Sequence, residues 1–479
     1  MLLERGQDYL KILIFGTGKF YQNRKEQLWA EFGQDEVIGF LDNHRTGILD
    51  GRHIYRPEDG IRLPHDKIVI MSVFADEMLE QLLSLDVPRE RITTYSELYA
   101  RKMSGVLKLY MREGSRSGKR ILIISEMLDY NGGAMAAVYA GEALRAKGYD
   151  VCLAVPKIHE KLLREVQDKG LNVIFCPTLP FIFEAERYWI ASFDIALVNV
   201  FPMIVSAVGI SQFRPVLWWI HEPGEFYPLR RGNLSEDMPS LSRFQGRILA
   251  VSSIAEHNFQ QVGKVNGRMA YGIPDQEEDA DRFSNGHPDI CFALIGGVGK
   301  RKAQDVFLDA IALLKDNERD LCRFLIIGPF DGSAYSQELR KKSSELNNVQ
   351  FTGNLTRAEM EKAFRQIDVV VCPSREDPLP IVVTEGMMHR KICIASDATG
   401  QAQDIIRDGE NGFICRAGDA ASLAEKMVQV IKHLDELGPM REKARETYEK
   451  YFSMEAFGER LERELLLTER EYWAKEGKK

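Results

Sequence analysis

The chain has 479 residues, of which 44% are hydrophobic and 28% charged, and its formal net charge at pH 7 is −8. This length is too great for one hydrophobic core and suggests roughly three domains, while the ordinary composition argues against a disordered or membrane-spanning protein. The negative charge disfavours a general nucleic-acid binder.

The 7 cysteines show no C-x-x-C spacing and lie in apolar segments such as DVCLAVP and VVVCPS. This pattern predicts small core residues of a reduced, cytoplasmic protein rather than disulfides or zinc ligands. The N-terminal MLLERGQDYLKIL is acidic too early to predict a signal peptide, and no run is long enough to predict a transmembrane span. Any membrane contact is therefore expected to be peripheral.

Residues 1–100 predict a small Rossmann-like domain. YLKILIFGTGKF predicts a strand and a glycine turn at Gly16 and Gly18, and EVIGFLDN and DKIVIMSV predict two more strands. The third glycine of a G-x-G-x-x-G motif is missing, because Tyr21 occupies its position. The domain is predicted to be either a structural or regulatory module or a binder of a nucleotide or nucleotide-sugar, with an NAD-linked enzyme as a further alternative.

Residues 101–118 are rich in Lys and Arg and end in Gly and Ser, a composition typical of a linker. The front half places apolar residues among the basic ones and predicts a short amphipathic helix over 106–111. Two interpretations stay open, a solvated linker and a basic segment that docks on an anionic membrane surface.

Residues 119–275 predict a second α/β domain, in which KRILIISEM is the first strand. Gly132 and Gly133 follow it and precede a helix, an arrangement that lets a phosphate approach the backbone and that also occurs in ordinary turns. His221 follows the apolar strand RPVLWWI, at a strand end of the kind that faces the crevice of an α/β sheet. A structural histidine is the alternative.

Residues 276–450 predict a third domain. Its connector DQEEDADRF contains Asp279 and Asp281 and predicts a solvated acidic segment rather than a metal site, because no strand precedes it. The strand ICFALI then ends in a turn that contains Gly297, followed by Arg301 and Lys302. These cations could neutralise a diphosphate, and a basic surface turn is the alternative.

The stretch IDVVVCPSREDPLPIVVTEGMM predicts a buried strand, a proline-rich loop and a helix that opens near Ile381. Asp377 lies in the loop and Glu385 in the first turns of the helix. Such a strand-to-helix junction is where open α/β sheets bind phosphorylated ligands. The alternative is an ordinary loop carboxylate and an exposed helical glutamate.

DPLPIVVTEGM resembles the E-x7-E signature of the retaining glycosyltransferases of family 4, which have the GT-B fold. The resemblance implies that Glu385 holds the nucleotide ribose. It also implies that Asp377, in the place of the first glutamate, lies near the donor sugar. His221 matches the histidine that the family places close to that sugar.

The cationic turn is similar to the family's G-R-x(4)-K-G segment, with Lys302 in the place of the lysine. Gly297 replaces the arginine, so the resemblance implies that Arg301 compensates. Gly132 and Gly133 match the loop that lies across the cleft from the donor diphosphate.

The resemblance implies an α/β protein of GT-B fold, with two facing Rossmann-like, doubly wound domains and the small Rossmann-like domain in front. The facing domains would be residues 119–275, on the acceptor side, and 276–450, which would bind the donor. The helical segment 451–479 is predicted to cross back onto the acceptor-side domain. MAYGIPD is similar to the end of the family's first domain, but Tyr271 replaces an asparagine.

The predicted function is a retaining transfer of a hexose-type sugar from a nucleotide-sugar, most simply a UDP-sugar, to a glycan or lipid-linked acceptor. Surface polysaccharide synthesis is the expected setting, because the front domain resembles small Rossmann-like domains of bacterial polysaccharide-synthesis proteins. The resemblance implies no cofactor and no metal, and a location in the cytoplasm or at the inner face of the membrane. Because Gly297 and Asp377 depart from the family pattern, a non-catalytic nucleotide-sugar sensor or assembly subunit is the alternative.

Overall fold

The computed structural model describes residues 10–477 apart from 23, 34–35, 73–74, 96, 99–105, 112–117, 180–183, 228–240, 277–288, 331 and 347. Strands of the described residues form three sheets of six, eight and six strands. The predicted α/β class is confirmed. Most of the linker 101–118, and both Asp279 and Asp281, lie outside the described residues.

The front sheet is built around the strand Ile12–Phe15, whose residues are all buried, as a parallel strand covered on both faces requires. The spatial order is Gly47–Leu49, Arg52–Tyr55, Val37–Leu41, Ile12–Phe15, Lys67–Ile70 and Ile92–Thr94. Neighbours are parallel except the first two, which form an antiparallel hairpin. The helices of this domain are Lys19–Gln22, Lys25–Phe32, Pro57–Gly60 and Ala75–Ser84, with a 3-10 turn at Arg89–Arg91.

The middle sheet has the order Gly267–Arg268, Arg247–Ala250, Val216–Ile220, Ile195–Asn199, Arg120–Ile124, Asp150–Val155, Asn172–Phe175 and Lys108–Tyr110. Its helices are Gly132–Ala146, Glu160–Asp168, Glu184–Ile190, Ile204–Ser211 and Ser253–Phe259, with 3-10 turns at Phe201–Met203 and Leu241–Arg243. Seven strands are parallel and pack apolar side chains on both faces, so the core lies on each side of the sheet.

The sequence prediction of a helix over 106–111 was wrong, because Lys108–Tyr110 form an edge strand. This strand pairs antiparallel with Asn172–Phe175 and thereby satisfies backbone groups that the sheet edge would otherwise expose. Leu107 and Met111 pack against the core while Leu109 is 57% exposed. The apolar pattern over six residues fits a helix and a strand equally, and the neighbouring sheet edge decides between them.

The C-terminal sheet is parallel throughout and has the order Val349–Gly353, Cys322–Ile327, Ile290–Ile295, Val369–Cys372, Ile392–Ser396 and Phe413–Cys415. Helices alternate with these strands. They span Gln304–Leu313, Asp316–Arg319, Ala334–Ser343, Arg357–Gln366, Ile381–Met388, Gly400–Asp404, Ala420–His433 and Gly438–Tyr451, with 3-10 turns at Lys300–Lys302 and Leu434–Glu436.

The last helix, Met454–Glu476, leaves the C-terminal sheet and packs on the helix Gly132–Ala146 of the middle domain. Phe457 is buried there and stacks on Trp219, with ring centroids 5.6 Å apart. At the solvent side Glu462 pairs with Lys147 at 2.8 Å. The helix therefore ties the end of the chain to the middle domain.

All seven cysteines are free and buried, which confirms that they act as small apolar core residues. Across the described part of the chain, no helix is long and apolar enough to cross a membrane.

Candidate functional site

Loops at the carboxyl ends of the middle and C-terminal sheets meet at the boundary between the two domains, which we call the cleft. The loop 373–380 lies at this boundary. This loop connects the strand Val369–Cys372 to the helix Ile381–Met388, as the sequence predicts. Pro380 precedes the first helical residue with φ −64° and ψ 121°, and its extended conformation ends the loop and starts the helix. The helix therefore begins at the predicted position.

Asp377 in this loop is held by the two cations that the sequence predicts for diphosphate binding. Lys302 Nζ lies 2.6 Å from Asp377 Oδ2, and Arg301 Nη1 lies 3.1 Å from the same oxygen. Arg301 also donates to the backbone carbonyl of Glu376 at 3.1 Å. The Asp377 side chain is only 9% exposed, so the two cations compensate a nearly buried carboxylate.

The glycine turn before these cations leaves open space at the cleft. Gly296 has φ +149°, and a Cβ atom added there would lie 3.5 Å from Lys302 Cε. Gly297 is exposed, and an added Cβ atom would meet no atom within 4 Å. The buried Gln304 braces the turn by donating to the Gly297 carbonyl at 3.1 Å and accepting from the Gly299 N–H at 3.2 Å. The turn is thus held by the hydrogen bonds of the buried Gln304, while Gly297 is open to solvent.

Glu385 lies in the second turn of the helix Ile381–Met388, and its carboxylate has no hydrogen-bond partner among the described residues. Burial raises the pKa of Glu385 to about 7, and the nearby Arg357 guanidinium opposes this shift. Tyr139 of the facing domain has a raised pKa because it is buried and because the Glu385 charge is near. Glu385 is therefore a desolvated carboxylate at the boundary of the two domains.

His221 follows the strand Val216–Ile220, as predicted, and packs edge-on against Trp219 with ring centroids 4.4 Å apart. Its Nε2 atom is buried and has no hydrogen-bond partner among the described residues. Burial lowers the pKa of His221 to about 3. The imidazole is thus neutral at ordinary pH, and one of its nitrogens is buried without a hydrogen-bond partner among the described residues.

The backbone at His221 is held by its neighbour Glu222, which is 6% exposed. The Glu222 carboxylate accepts from the N–H of Phe201 at 2.7 Å and from the N–H of His221 at 2.9 Å. Burial raises the pKa of Glu222 to about 7 against the effect of these hydrogen bonds. Glu222 therefore links the ends of two neighbouring strands and orients the His221 turn.

Gly132 and Gly133 form the first turn of the helix Gly132–Ala146, which Asn131 caps by accepting from the Ala134 N–H at 3.0 Å. A Cβ atom added to Gly132 would lie 3.5 Å from Cδ1 of Ile381 in the facing domain. The glycine turn therefore lies directly across the cleft from the start of the helix that carries Glu385.

Hydrogen bonds from the middle domain hold the loop 373–380 in place. Glu376 Oε1 accepts from the backbone N–H of Gly224 and, at 2.7 Å, from Nδ2 of Asn258. Tyr271, which stands where the resembling family has asparagine, donates to the Leu379 carbonyl at 3.0 Å. The two domains thus meet through the loop that carries Asp377.

A close approach of two backbones lies beside these bonds. Ser252 of the middle domain donates to the Pro378 carbonyl, and a Cβ atom added to Gly400 would lie 1.8 Å from that carbonyl oxygen. Any side chain at Gly400 would therefore displace the loop.

Two separate segments of the chain match known glycosyltransferase families. Residues 117–257 match the family described as "Glycosyl-transferase family 4", and residues 289–433 match "Glycosyl transferases group 1". The chain carries a family 4 and a group 1 glycosyltransferase domain. In front of this glycosyltransferase pair, residues 8–93 match "C2185-like, N-terminal".

Curated relatives of the chain are similar over part of their length. The putative glycosyltransferase EpsD of Bacillus subtilis is 31% identical over 156 residues, which is 32% of this chain and 40% of EpsD. Sulfoquinovosyl transferase SQD2 of Arabidopsis thaliana is 30% identical over 174 residues, covering 36% of this chain and 32% of SQD2. An alpha-1,4-N-acetyl-D-galactosaminyltransferase of Campylobacter jejuni is 33% identical over 139 residues, covering 29% and 37%. The chain thus spans well under half the length of each of these relatives.

Solved structures show that the fold is GT-B. Anabaena Alr3699/HepE, crystallised with UDP and glucose, superimposes with a TM-score of 0.61 at 16% identity, covering 73% of this chain and 100% of HepE. Sucrose-phosphate synthase of Thermosynechococcus elongatus gives a TM-score of 0.56 at 18% identity, covering 72% and 98%. The predicted GT-B architecture with an additional front domain is confirmed.

Three polar side chains of the site, Glu222, Glu376 and Asn258, were not predicted as site residues. The only sequence signal for Glu222 and Glu376 was a charged residue beside a predicted site residue, and Asn258 gave none. Among the described residues, no group of three or more His, Cys, Asp or Glu side chains could hold a metal ion.

Proposed function

We propose that the chain is a retaining glycosyltransferase that moves a sugar from a UDP-sugar to a glycan or lipid-linked acceptor in surface polysaccharide synthesis. The observation that carries this proposal is the meeting of Lys302 and Arg301 at Asp377, beside the helix that bears Glu385. Two cations next to a free, desolvated carboxylate match the two ends of a nucleoside diphosphate, its phosphates and its ribose.

Departure of the nucleoside diphosphate leaves negative charge on the phosphate oxygens. Lys302 and Arg301 would stabilise that charge, with the open turn at Gly297 giving the phosphates access to the backbone. The first turn at Gly132 and Gly133 would close over the diphosphate from the facing domain. These charges would make a metal ion or other cofactor unnecessary.

The remaining three side chains would position the sugar. Glu385 would accept hydrogen bonds from the ribose hydroxyls, Asp377 would orient the donor sugar, and His221 would contact the donor from the facing domain. A carboxylate held by two cations is a weak nucleophile, so we assign Asp377 no covalent role. The two-carboxylate scheme of the glycosidases requires both groups to flank the scissile bond, which a ribose-binding Glu385 would not do.

The choice of donor and acceptor rests on the relatives. HepE binds UDP and, in another crystal, UDP-glucose, and the Campylobacter enzyme is named for a glycan on PP-undecaprenol as acceptor. Peripheral contact with the inner face of the membrane would bring the protein to a lipid-linked acceptor. The protein would work in the cytoplasm and would not bind nucleic acid.

The proposal is tested first by binding. Purified full-length protein is mixed with UDP, GDP, CDP, ADP, dTDP or NAD, and the melting temperature is measured for the wild type and for Lys302→Ala and Glu385→Ala. We expect one nucleoside diphosphate to stabilise the wild type, with the effect reduced in both variants. Lys300→Ala is the matched control, because Lys300 belongs to the same turn but is exposed and has no ion pair among the described residues.

Turnover is then measured with the sugar donors of the stabilising nucleotide. Lys302→Ala and Glu385→Ala should each lower turnover at least about tenfold, or ~1.4 kcal/mol of transition-state stabilisation, while Lys300→Ala should not. Retention is read from the anomeric configuration of the product by NMR. Nucleotide binding that depends on Glu385 but never leads to transfer would favour the non-catalytic sensor instead.

A further inference from the structure

We propose that the front domain contains a second ligand site, for a nucleoside diphosphate or nucleotide-sugar, which is separate from the cleft. The domain has a cavity of about 630 Å³ that opens to solvent. This volume lies within the range of ~300–1,000 Å³ that small-molecule sites occupy. The proposal does not depend on the function of the cleft.

The cavity lies at the topological switch point of the front sheet. The strand Ile12–Phe15 pairs with Val37–Leu41 on one side and with Lys67–Ile70 on the other. The residues that follow these three strands line the cavity together, and the helix Ala75–Ser84 closes one side. In parallel α/β sheets the crevice at this position is where ligands bind.

The two glycines of the GTG turn have different structural requirements. Gly16 is required by the fold, because its φ is +109° and an added Cβ atom would lie 2.7 Å from the Met71 carbonyl oxygen. Gly18 is required by neither conformation nor packing, because an added Cβ atom would meet nothing within 4 Å. Gly18 lines the cavity, so its missing side chain leaves the backbone open to a ligand.

Two features argue against a dinucleotide such as NAD. Dinucleotide sites use an acidic residue after the second strand to bind the ribose, but Asp42 already accepts from Thr17 and from the N–H groups of His44 and Arg45, at 2.8 and 3.0 Å. Tyr21 stands in place of the third glycine, is fully buried and donates to Asp50 at 2.8 Å. The ligand must therefore bind without the usual ribose contact.

The remaining lining suits a phosphorylated, hydroxyl-bearing ligand. Arg24 brings a guanidinium to the cavity and lies 4.1 Å from the centroid of the Phe20 ring, which limits its freedom and prepares it for a phosphate. Glu77 also lines the cavity and offers a carboxylate. Asn43 and Gln81 pair through their amides at 2.9 Å, and each amide keeps a second N–H for a sugar or ribose hydroxyl.

The test uses full-length protein whose cleft is disabled by Lys302→Ala and Glu385→Ala together. Isothermal titration calorimetry is performed with UDP, GDP, ADP, UDP-glucose and NAD, each up to about 1 mM. We expect a nucleoside diphosphate or UDP-glucose to bind with a stoichiometry of one. Adding Gly18→Leu should weaken that binding at least about tenfold, because the leucine side chain would project into the cavity.

The matched control is Gly438→Leu, a distant glycine at which an added Cβ atom also meets nothing within 4 Å. It should leave binding unchanged, and neither leucine variant should change the melting temperature by more than a few degrees. Arg24→Gln gives a second test and should weaken phosphate-bearing ligands. The proposal is overturned if nothing binds the cleft-disabled protein, if NAD alone binds, or if Gly18→Leu binds as tightly as its parent.

Discussion

Lys302 and Asp377 are 75 residues apart in the chain and form an ion pair of 2.6 Å beside the contacts between the two domains. The pair joins the cation proposed for the leaving diphosphate to the carboxylate proposed for the donor sugar. Arg301 contacts the same Asp377 oxygen. A bound diphosphate would therefore compete with Asp377 for both cations.

This competition predicts that Asp377→Asn binds free UDP more tightly than the wild type while turning over more slowly. The amide keeps the shape of the side chain but removes the charge that occupies Lys302 and Arg301. We expect UDP affinity to rise about tenfold, or ~1.4 kcal/mol, and turnover to fall by at least a similar factor. Isothermal titration calorimetry and initial rates measure the two effects.

Asp309→Asn is the control for loss of one negative charge in the same domain, because Asp309 pairs with Lys342 at the surface. This variant should change neither UDP affinity nor turnover by more than about twofold. Weaker UDP binding by Asp377→Asn would show that Asp377 supports the cations rather than competing with the diphosphate.

Glu385 predicts a pH dependence of donor binding. Burial raises its pKa to about 7 from an ordinary value near 4.5, so the carboxyl is largely protonated below pH 7 in the unliganded protein. The ionised form is the stronger acceptor for ribose hydroxyls, so affinity for a nucleotide-sugar should increase as the pH rises through about 7. Calorimetry at several pH values measures this affinity. Glu385→Gln should remove its dependence on pH.

Arg357 refines this experiment. Its charge lowers the pKa of Glu385, so Arg357→Ala should move the midpoint of the affinity profile to higher pH. Arg365→Ala is the control, because Arg365 is exposed at the other end of the same helix. The ligand in this experiment is a nucleotide-sugar rather than free UDP. The terminal phosphate of free UDP itself titrates at about pH 6 and would add its own pH dependence. A flat wild-type profile would contradict the ribose-binding role.

The local features of the site were predictable from the sequence. The apolar run before Pro373 and the proline at Pro380 predict the strand, the loop and the start of the helix with Glu385, because each depends on neighbouring residues. The contacts between domains were not predictable. Glu376 meets Gly224 across 152 positions of the chain, and only the assembled fold brings them together.

The hydrogen bond of Tyr271 between the domains was likewise not predictable from the sequence. The sequence shows that this tyrosine replaces an asparagine of the resembling family, but its hydrogen bond to Leu379, 108 residues away, appears only in the folded protein. Burial is likewise a property of the whole fold, which is why the lowered pKa of His221 could not be inferred from its position after a strand.

Tyr271→Phe should lower the stability of the domain contact. The hydroxyl is buried and donates to the Leu379 carbonyl at 3.0 Å, so its removal leaves that carbonyl without this partner and costs about 1–2 kcal/mol. Tyr227→Phe is the matched comparison, because the Tyr227 hydroxyl is also buried but has no partner among the described residues. Removing it should leave the melting temperature unchanged or raise it. Equal losses in both variants would contradict the proposed role of the hydrogen bond.

The lowered pKa of His221 predicts how the stability of the protein depends on pH. Burial lowers its folded-state pKa to about 3 from an ordinary value near 6.5, so below pH 6.5 the unfolded chain binds a proton that the folded protein does not. This group therefore makes stability fall as the pH drops from about 6.5 towards 3, by up to ~1.4 kcal/mol per pH unit. Melting temperatures between pH 7 and 4.5 should fall less steeply for His221→Gln than for the wild type. His257→Gln, at an exposed position on the helix Ser253–Phe259, should retain the wild-type slope. A wild-type slope in His221→Gln would contradict the prediction, because it would mean that the His221 imidazole takes up a proton in the folded protein as it does in the unfolded chain.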